Sequence, residues 1–159
     1  MLDERTFRNA MGKFTTGVTV ITTVVGEEVH GMTANAFMSV SINPKLITVS
    51  IDEKAHMHEK IRKASKFAVS VLKEDQIDTS MHFAGQKETK GIEFSWFKGI
   101  PVIKNSLANI VCEVYDSIKA GDHTLYIGKV IDLSMEEGDP LVFYEGKYGK
   151  GKMGKSGIA

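Results

Sequence analysis

Hydrophobic positions change period several times along the chain. After Asp3, a side chain suited to accept from the first free N–H groups of a helix, Phe7, Ala10, Met11 and Phe14 share one helical face, and this helix is expected to stop near Gly17. The residues GVTVITTVV then alternate as a strand does, with Val18, Val20 and Thr22 to one side and Thr19, Ile21 and Thr23 to the other. The charged GEEVHG reads as a turn. Beyond Pro44, Ile47, Val49 and Ile51 face one way and Thr48 and Ser50 the other, and that second face is polar enough to meet a ligand or water.

Ala55 to Ala64 suits a short helix through Met57, Ile61 and Ala64, and KFAVSVL returns to strand. A further helix is expected over about Asp75 to Ala84, carried by Ile77, Met81 and Ala84 and halted by Gly85. GQKETKGIEFSWFKGIP shows no period and reads as a long loop. Two long strands, LANIVCEVYDSI and HTLYIGKVIDLSM, join through the tight KAGD as a hairpin, and a short strand, PLVFY, follows. Strands outnumber helices and no βαβ alternation runs through the chain. The pattern therefore predicts a mainly β fold, an antiparallel barrel or sandwich with a few peripheral helices, rather than a doubly wound sheet.

Composition narrows the partners. The 159 residues suit one domain able to bury a core without disulfides, and 20 basic side chains balance 20 acidic ones. That balance lacks the electrostatic footprint of a nucleic-acid binder or of a protein lying on an acidic membrane. No apolar run approaches the ~20 residues of a membrane helix, and no basic-then-apolar leader opens the chain, so a cytoplasmic protein is expected. The single cysteine, Cys112, lies in the alternating ANIVCEVY and reads as a buried core thiol.

Several chemistries lack their residues. There is no G-x-G-x-x-G after a strand, no phosphate-binding G-x-x-x-x-G-K-[ST] and no G-x-S-x-G elbow. His56 and His58 would sit about 200° apart on their helix, which speaks against a shared metal. Three places have residues that folding alone does not explain. In Gly31-Met32-Thr33-Ala34-Asn35-Ala36, small side chains let a flat ligand reach the backbone while Thr33 and Asn35 offer hydrogen bonds; a capped turn explains the pattern equally well. Ser39 and Ser41 flank Val40 and either line the same cleft or decorate an exposed edge. His123 stands at the mouth of the long hairpin, where it would meet a substrate or cap the turn.

The segments FRNAMGKFTTGVTVITT, HGMTANAFMSVSINPKLITVSI, HFAG and AGDHTLYIGKV closely resemble the small NADH-dependent flavin reductases of two-component aromatic monooxygenases, notably those of phenol and 4-hydroxyphenylacetate hydroxylases. The likeness runs from about Leu2 to Tyr148. It implies an FMN-binding type of split β-barrel over residues 1–148 and a homodimer; the chain departs from the likeness after Tyr148, where similar chains tend to finish, and its Gly/Lys-rich tail over 149–159 is expected to be flexible, the alternative being a basic flap over a pyrophosphate or an oxygenase-docking segment. It also implies an activity: electrons pass from NADH to FAD or FMN, and the reduced flavin is delivered to a separate oxygenase component.

The resemblance further implies roles by position. Thr33, Ala34 and Asn35 would make room for the ring system, with Asn35, Ser39, Val40 and Ser41 along the ribityl side. Ser50, Ile51, Asp52 and Lys54 would approach the flavin phosphate together with the backbone of Phe83, Ala84 and Gly85. His123 would stand where the nicotinamide stacks, with Tyr148 near the same opening. Two rival readings share such a barrel: a flavoredoxin-like electron carrier without rapid NADH oxidation, and a non-catalytic flavin-binding module. A pyridoxamine-phosphate oxidase is disfavoured, because only Arg5, Arg8 and Arg62 are available to gather a substrate phosphate.

Overall fold

The computed structural model describes residues 1–154. The chain order is α1 (Glu4–Gly12), β1 (Thr16–Gly17), β2 (Thr19–Val25), β3 (Glu28–Ala34), β4 (Phe37–Ser41), β5 (Leu46–Asp52), α2 (His56–Ala64), β6 (Lys66–Val71), α3 (Ile77–Phe83), β7 (Phe94–Phe97), β8 (Ile100–Ile103), β9 (Ala108–Ala120), β10 (His123–Met135), β11 (Leu141–Tyr144) and β12 (Lys147–Lys150). Seven strands form one antiparallel sheet in the order β3-β2-β6-β9-β10-β5-β4.

The two edges of that sheet are neighbours in sequence. Only Asn35 and Ala36 separate the end of β3 from the start of β4, and the three peptide steps from Ala34 to Phe37 reach at most about 11 Å. A sheet whose opposite edges are so tethered has to curl on itself. Helix α2 reports the same curvature, because one nine-residue helix touches β2, β3 and β6 from one end of the sheet and β5 from the other. The result is a barrel whose seam lies at Asn35-Ala36.

Inside the barrel, Ile21, Ile47, Val49, Ile51, Phe67, Val69, Cys112 and Tyr126 pack with Met57 and Ile61 of α2. Alternation along β2 sends Val20 outward, where with Val18, just before the strand, it meets Leu72, Ile103 and Leu141 in a second core fringed by Phe83, Phe143 and Tyr148. Both faces of β2 are thus buried. Its threonines satisfy their hydroxyls on neighbouring strands: Thr19 donates to the Ala34 carbonyl at 2.6 Å and Thr23 to that of Lys66 at 2.7 Å. Gly128 is required by packing, since a Cβ there would stand 2.7 Å from both Cys112 Cβ and Phe67 Cζ.

Four expectations from the pattern need correction. The chain turns only at Gly26-Glu27 and resumes as a strand at Glu28, so most of GEEVHG belongs to β3. The expected loop over GQKETKGIEFSWFKGIP contains the β7–β8 hairpin, which closes through Lys98 and Gly99 at φ +51° and +76° and lays Ile100 and Val102 against Ala68 and Val111. Helix α1 is capped as expected, Asp3 Oδ1 accepting from Thr6 N at 2.7 Å, but it ends at Gly12 and leaves Phe14 beyond it. Strand β12 pairs Gly149 with Val142 and Lys150 with Leu141, so pairing continues two residues past Tyr148; residues 155–159 of the expected tail lie outside the described residues.

Candidate functional site

Curling the sheet brings its seam against two other segments. Helix α3 lies across β3 because Gly31 has no side chain: a Cβ there would fall 2.5 Å from Cδ1 and Cε1 of Phe83. Thr33, two residues further on the same face, donates its hydroxyl to the Ser80 carbonyl of α3 at 2.6 Å. The β11–β12 hairpin closes in from the other side, Tyr148 OH lying 2.7 Å from Ser80 Oγ and its ring packing edgewise on Phe143. Between them is a cleft of about 180 Å³ lined by Val18, Thr33, Ala34, Asn35, Ser80, Ala84, Gln86, Phe143 and Tyr148.

Asn35 also borders a second, largely apolar cleft of about 760 Å³ on the other side of the seam. Ala36 lines it from the seam, Phe37 and Met38 from β4, Thr48 and Ser50 from the outward face of β5, and Met11, Phe14, Thr16 and Gly17 from the N-terminal segment. A third groove of about 700 Å³ runs between the start of α2 and the end of α3, bordered by His30, Gly31, Ala55, His56, Lys60, His82, Phe83 and Gly85. The N-terminus of α2 has no side-chain cap, its first residues His56 and Met57 border this groove, and Lys60, one turn in, adds a cation.

The expected site residues divide accordingly. Thr33, Ala34, Asn35, Ala84 and Tyr148 meet in the small cleft, Asn35 and Ser50 in the large one, and Phe83 and Gly85 in the basic groove. Ser39, Val40 and Ser41 lie on the edge strand β4, where a bulge leaves Val40 exposed. The side chain of Ile51 is wholly inside the barrel core, so Ile51 can offer a ligand only its backbone. Asp52, Lys54 and His123 form a separate group at the adjoining ends of β5 and β10: His123 is paired with Asp52, whose Oδ1 accepts from the Lys54 N–H at 2.8 Å. The His123 ring is bonded to Asp122 at 2.8 Å, which holds the Asp122 carboxyl below its ordinary range, and it does not line the three clefts.

Other positions carry chemistry that the sequence did not single out. Ser80 is buried and joins both walls of the small cleft. Thr16 Oγ1, at the large cleft, and His30 Nε2, at the basic groove, are buried atoms without a hydrogen-bond partner among the described residues. Asn35 and Ala36 are exposed, and their N–H groups donate no backbone hydrogen bond among the described residues. His58 is occupied structurally, its ring bonded to the Tyr126 hydroxyl at 2.7 Å. Cys112 is enclosed in the core and burial pushes its thiol up to about 12, far from a reactive thiolate.

An antiparallel split barrel with clefts at its seam defines the class of fold, and comparison with known proteins defines the family. A model described as "Flavin reductase like domain" matches residues 11–152. The chain is 46% identical over 145 residues to an NADH-dependent flavin reductase of Rhodococcus sp, covering 89% of this chain and 82% of that one. It is 38% identical over 144 residues to the reductase component of a 4-hydroxyphenylacetate 3-monooxygenase of Thermus thermophilus, covering 89% and 93%. Among solved structures, flavin reductase PheA2 in its native state superposes with a TM-score of 0.93 at 57% identity, covering 96% of this chain and all of that one, 100%. The Streptomyces globisporus NADH:FAD oxidoreductase SgcE6, solved with NAD and FAD fragments, superposes at 0.90 with 32% identity, covering 97% and 96%. The chain belongs to the flavin reductase-like domain family.

Proposed function

We propose that this protein reduces FAD or FMN with NADH and passes the reduced flavin to a separate oxygenase component. The observation that carries this reading is the seam at Thr33–Ala36: a narrow wall of small side chains, with unpaired backbone N–H groups, where two clefts meet. A flat heteroaromatic ring rich in acceptors suits such a surface, and Thr16, whose buried hydroxyl has no partner among the described residues, borders the same apolar space. When bound there, flavin supplies the hydride chemistry by accepting hydride from the nicotinamide. The protein supplies orientation and electrostatics: donors at the seam would hold the ring's polar edge and favour negative charge developing on it.

The remaining assignments form part of the same proposal. Asn35 and the β4 edge at Ser39, Val40 and Ser41 would border the ribityl chain. Ser50, Ile51 through its backbone, Asp52, Lys54 and the backbone of Phe83, Ala84 and Gly85 would surround the phosphate. The open N-terminus of α2 with Lys60 and His56 supplies a second set of donors suited to an anion. His123 would contact the nicotinamide from the hairpin mouth. A homodimer would cover the apolar residues Phe7, Met11 and Phe14, which are 52%, 57% and 79% exposed, two of them at the rim of the large cleft. Among the described residues no helix is long and apolar enough to cross a membrane, and a cytoplasmic location, with its supply of NADH, completes the proposal.

The test is anaerobic stopped-flow absorbance at the flavin band, mixing protein and flavin with NADH and then adding a second equivalent of free FAD or FMN. Rapid bleaching followed by reduction of the added flavin is the expected result. Flavin that binds but stays oxidised would replace the reductase with the electron-carrier reading.

A further inference from the structure

We propose that Ser80 is a positioning residue that aims the Tyr148 phenolic proton into the 180 Å³ cleft as a hydrogen-bond donor for the bound ring. The inference rests on the flavin reading of that cleft. Ser80 and Tyr148 carry one hydroxyl proton each, and a single bond of 2.7 Å between their oxygens uses one of them.

Burial decides which. Ser80 is 0% exposed and its hydroxyl has no other partner among the described residues, so its proton would be stranded in the interior if Tyr148 were the donor. Tyr148 is only half-buried and borders the cleft, where its proton can find an acceptor. The satisfied arrangement therefore has Ser80 donating to Tyr148. The phenol, with one lone pair engaged, keeps its own proton for the cleft.

Ser80 is well placed to hold this geometry. Its backbone carbonyl accepts from Thr33 at 2.6 Å, and its N–H is held in α3 by the Gln76 carbonyl at 3.1 Å. Strand β12, by contrast, pairs among the described residues only with β11. The bond from Ser80 thus ties a peripheral strand to the seam and fixes both the width of the cleft and the direction of the phenol.

The experiment is a double-mutant cycle on the full chain with Ser80→Ala, Tyr148→Phe and the pair, reading flavin dissociation constants by fluorescence, the shape of the bound flavin's visible band, and Tm. Each single variant should weaken flavin binding about five- to tenfold, the loss expected for one hydrogen bond. Tyr148→Phe should also shift the visible band, and the double variant should be no worse than Tyr148→Phe alone. Additive losses, or single variants that lower Tm while leaving affinity and spectrum unchanged, would overturn the positioning role. Wild-type protein that takes up no flavin would overturn both this inference and the function it rests on.

Discussion

Replacing Gly31 by alanine tests how α3 is seated on the barrel. The new Cβ would lie 2.5 Å from two carbons of the Phe83 ring, and ordinary carbon contacts begin near ~3.5 Å, so the ring has to retreat by about 1 Å. It has little room to do so. Phe83 packs edgewise on His82 and Phe94, with centroids 4.8 and 6.3 Å away, and belongs to the fringe of the second core. Overpacking of this kind costs about 1–3 kcal/mol, and in a protein of this size each kcal/mol moves Tm by roughly 2–4 °C. The expected loss is therefore about 2–12 °C by calorimetry. Because Phe83 is continuous with Ala84 and Gly85, flavin affinity should weaken in the same variant. Gly149→Ala is the control: no atom lies within 4 Å of its Cβ position, and its effect should stay within about 0.5 kcal/mol. A Gly31→Ala protein with wild-type Tm and flavin affinity would refute the close contact between β3 and α3 as the reason for this glycine.

Three further outcomes are expected. His123→Ala should raise KM for NADH roughly tenfold, the loss of about one good contact, while the flavin dissociation constant holds; unchanged NADH dependence would remove His123 from the nicotinamide site. Tyr126→Phe deletes a hydroxyl bonded to both the ring and the carbonyl of His58, at 2.7 and 3.1 Å, and should cost about 1 kcal/mol and accelerate hydrogen exchange in α2. Wild-type exchange rates there would show that α2 does not depend on that bond. Cys112 should resist iodoacetamide at pH 8 in the native protein and react once it is unfolded. Its folded pKa of about 12 lies above that of an unfolded thiol, so the unfolded state loses its proton first as pH rises, and stability should decline between about pH 9 and 12 in wild type but less in Cys112→Ala. Native-state alkylation at pH 8 would contradict the enclosed thiol.

Where one period persists, the sequence was readable. Strand β2 alternates over seven residues, and the structure places Val20 outside the barrel and Ile21 within it, as the alternation requires. Met57 and Ile61 in α2 and the long β9–β10 hairpin follow the same logic. The β7–β8 hairpin was missed because its strands are four residues each, too short for a period to show, and Pro101 argues against a strand. The signal that would have revealed it is Lys98-Gly99, two residues suited to a primed hairpin turn, between FSWF and IPVI.

Of the site, the residue types were legible in the sequence: which are small, polar or basic, and hence that Thr33-Ala34-Asn35 leaves its backbone open to close approach. Its likeness to flavin reductases named the chemistry in advance. It also determined that Thr48 and Ser50 share a face opposite to Ile47, Val49 and Ile51, because strand geometry is local. What faces that seam was set by the packing of distant segments. Ser80, Tyr148 and Thr33 are separated by 47 and 68 residues, and they meet because the sheet curls, α3 settles against Gly31, and a peripheral hairpin folds over the end. Those contacts depend on long-range packing, which no local period encodes. The same physics gave Ile51 to the core and set His123 apart with Asp52 and Lys54 at the hairpin mouth.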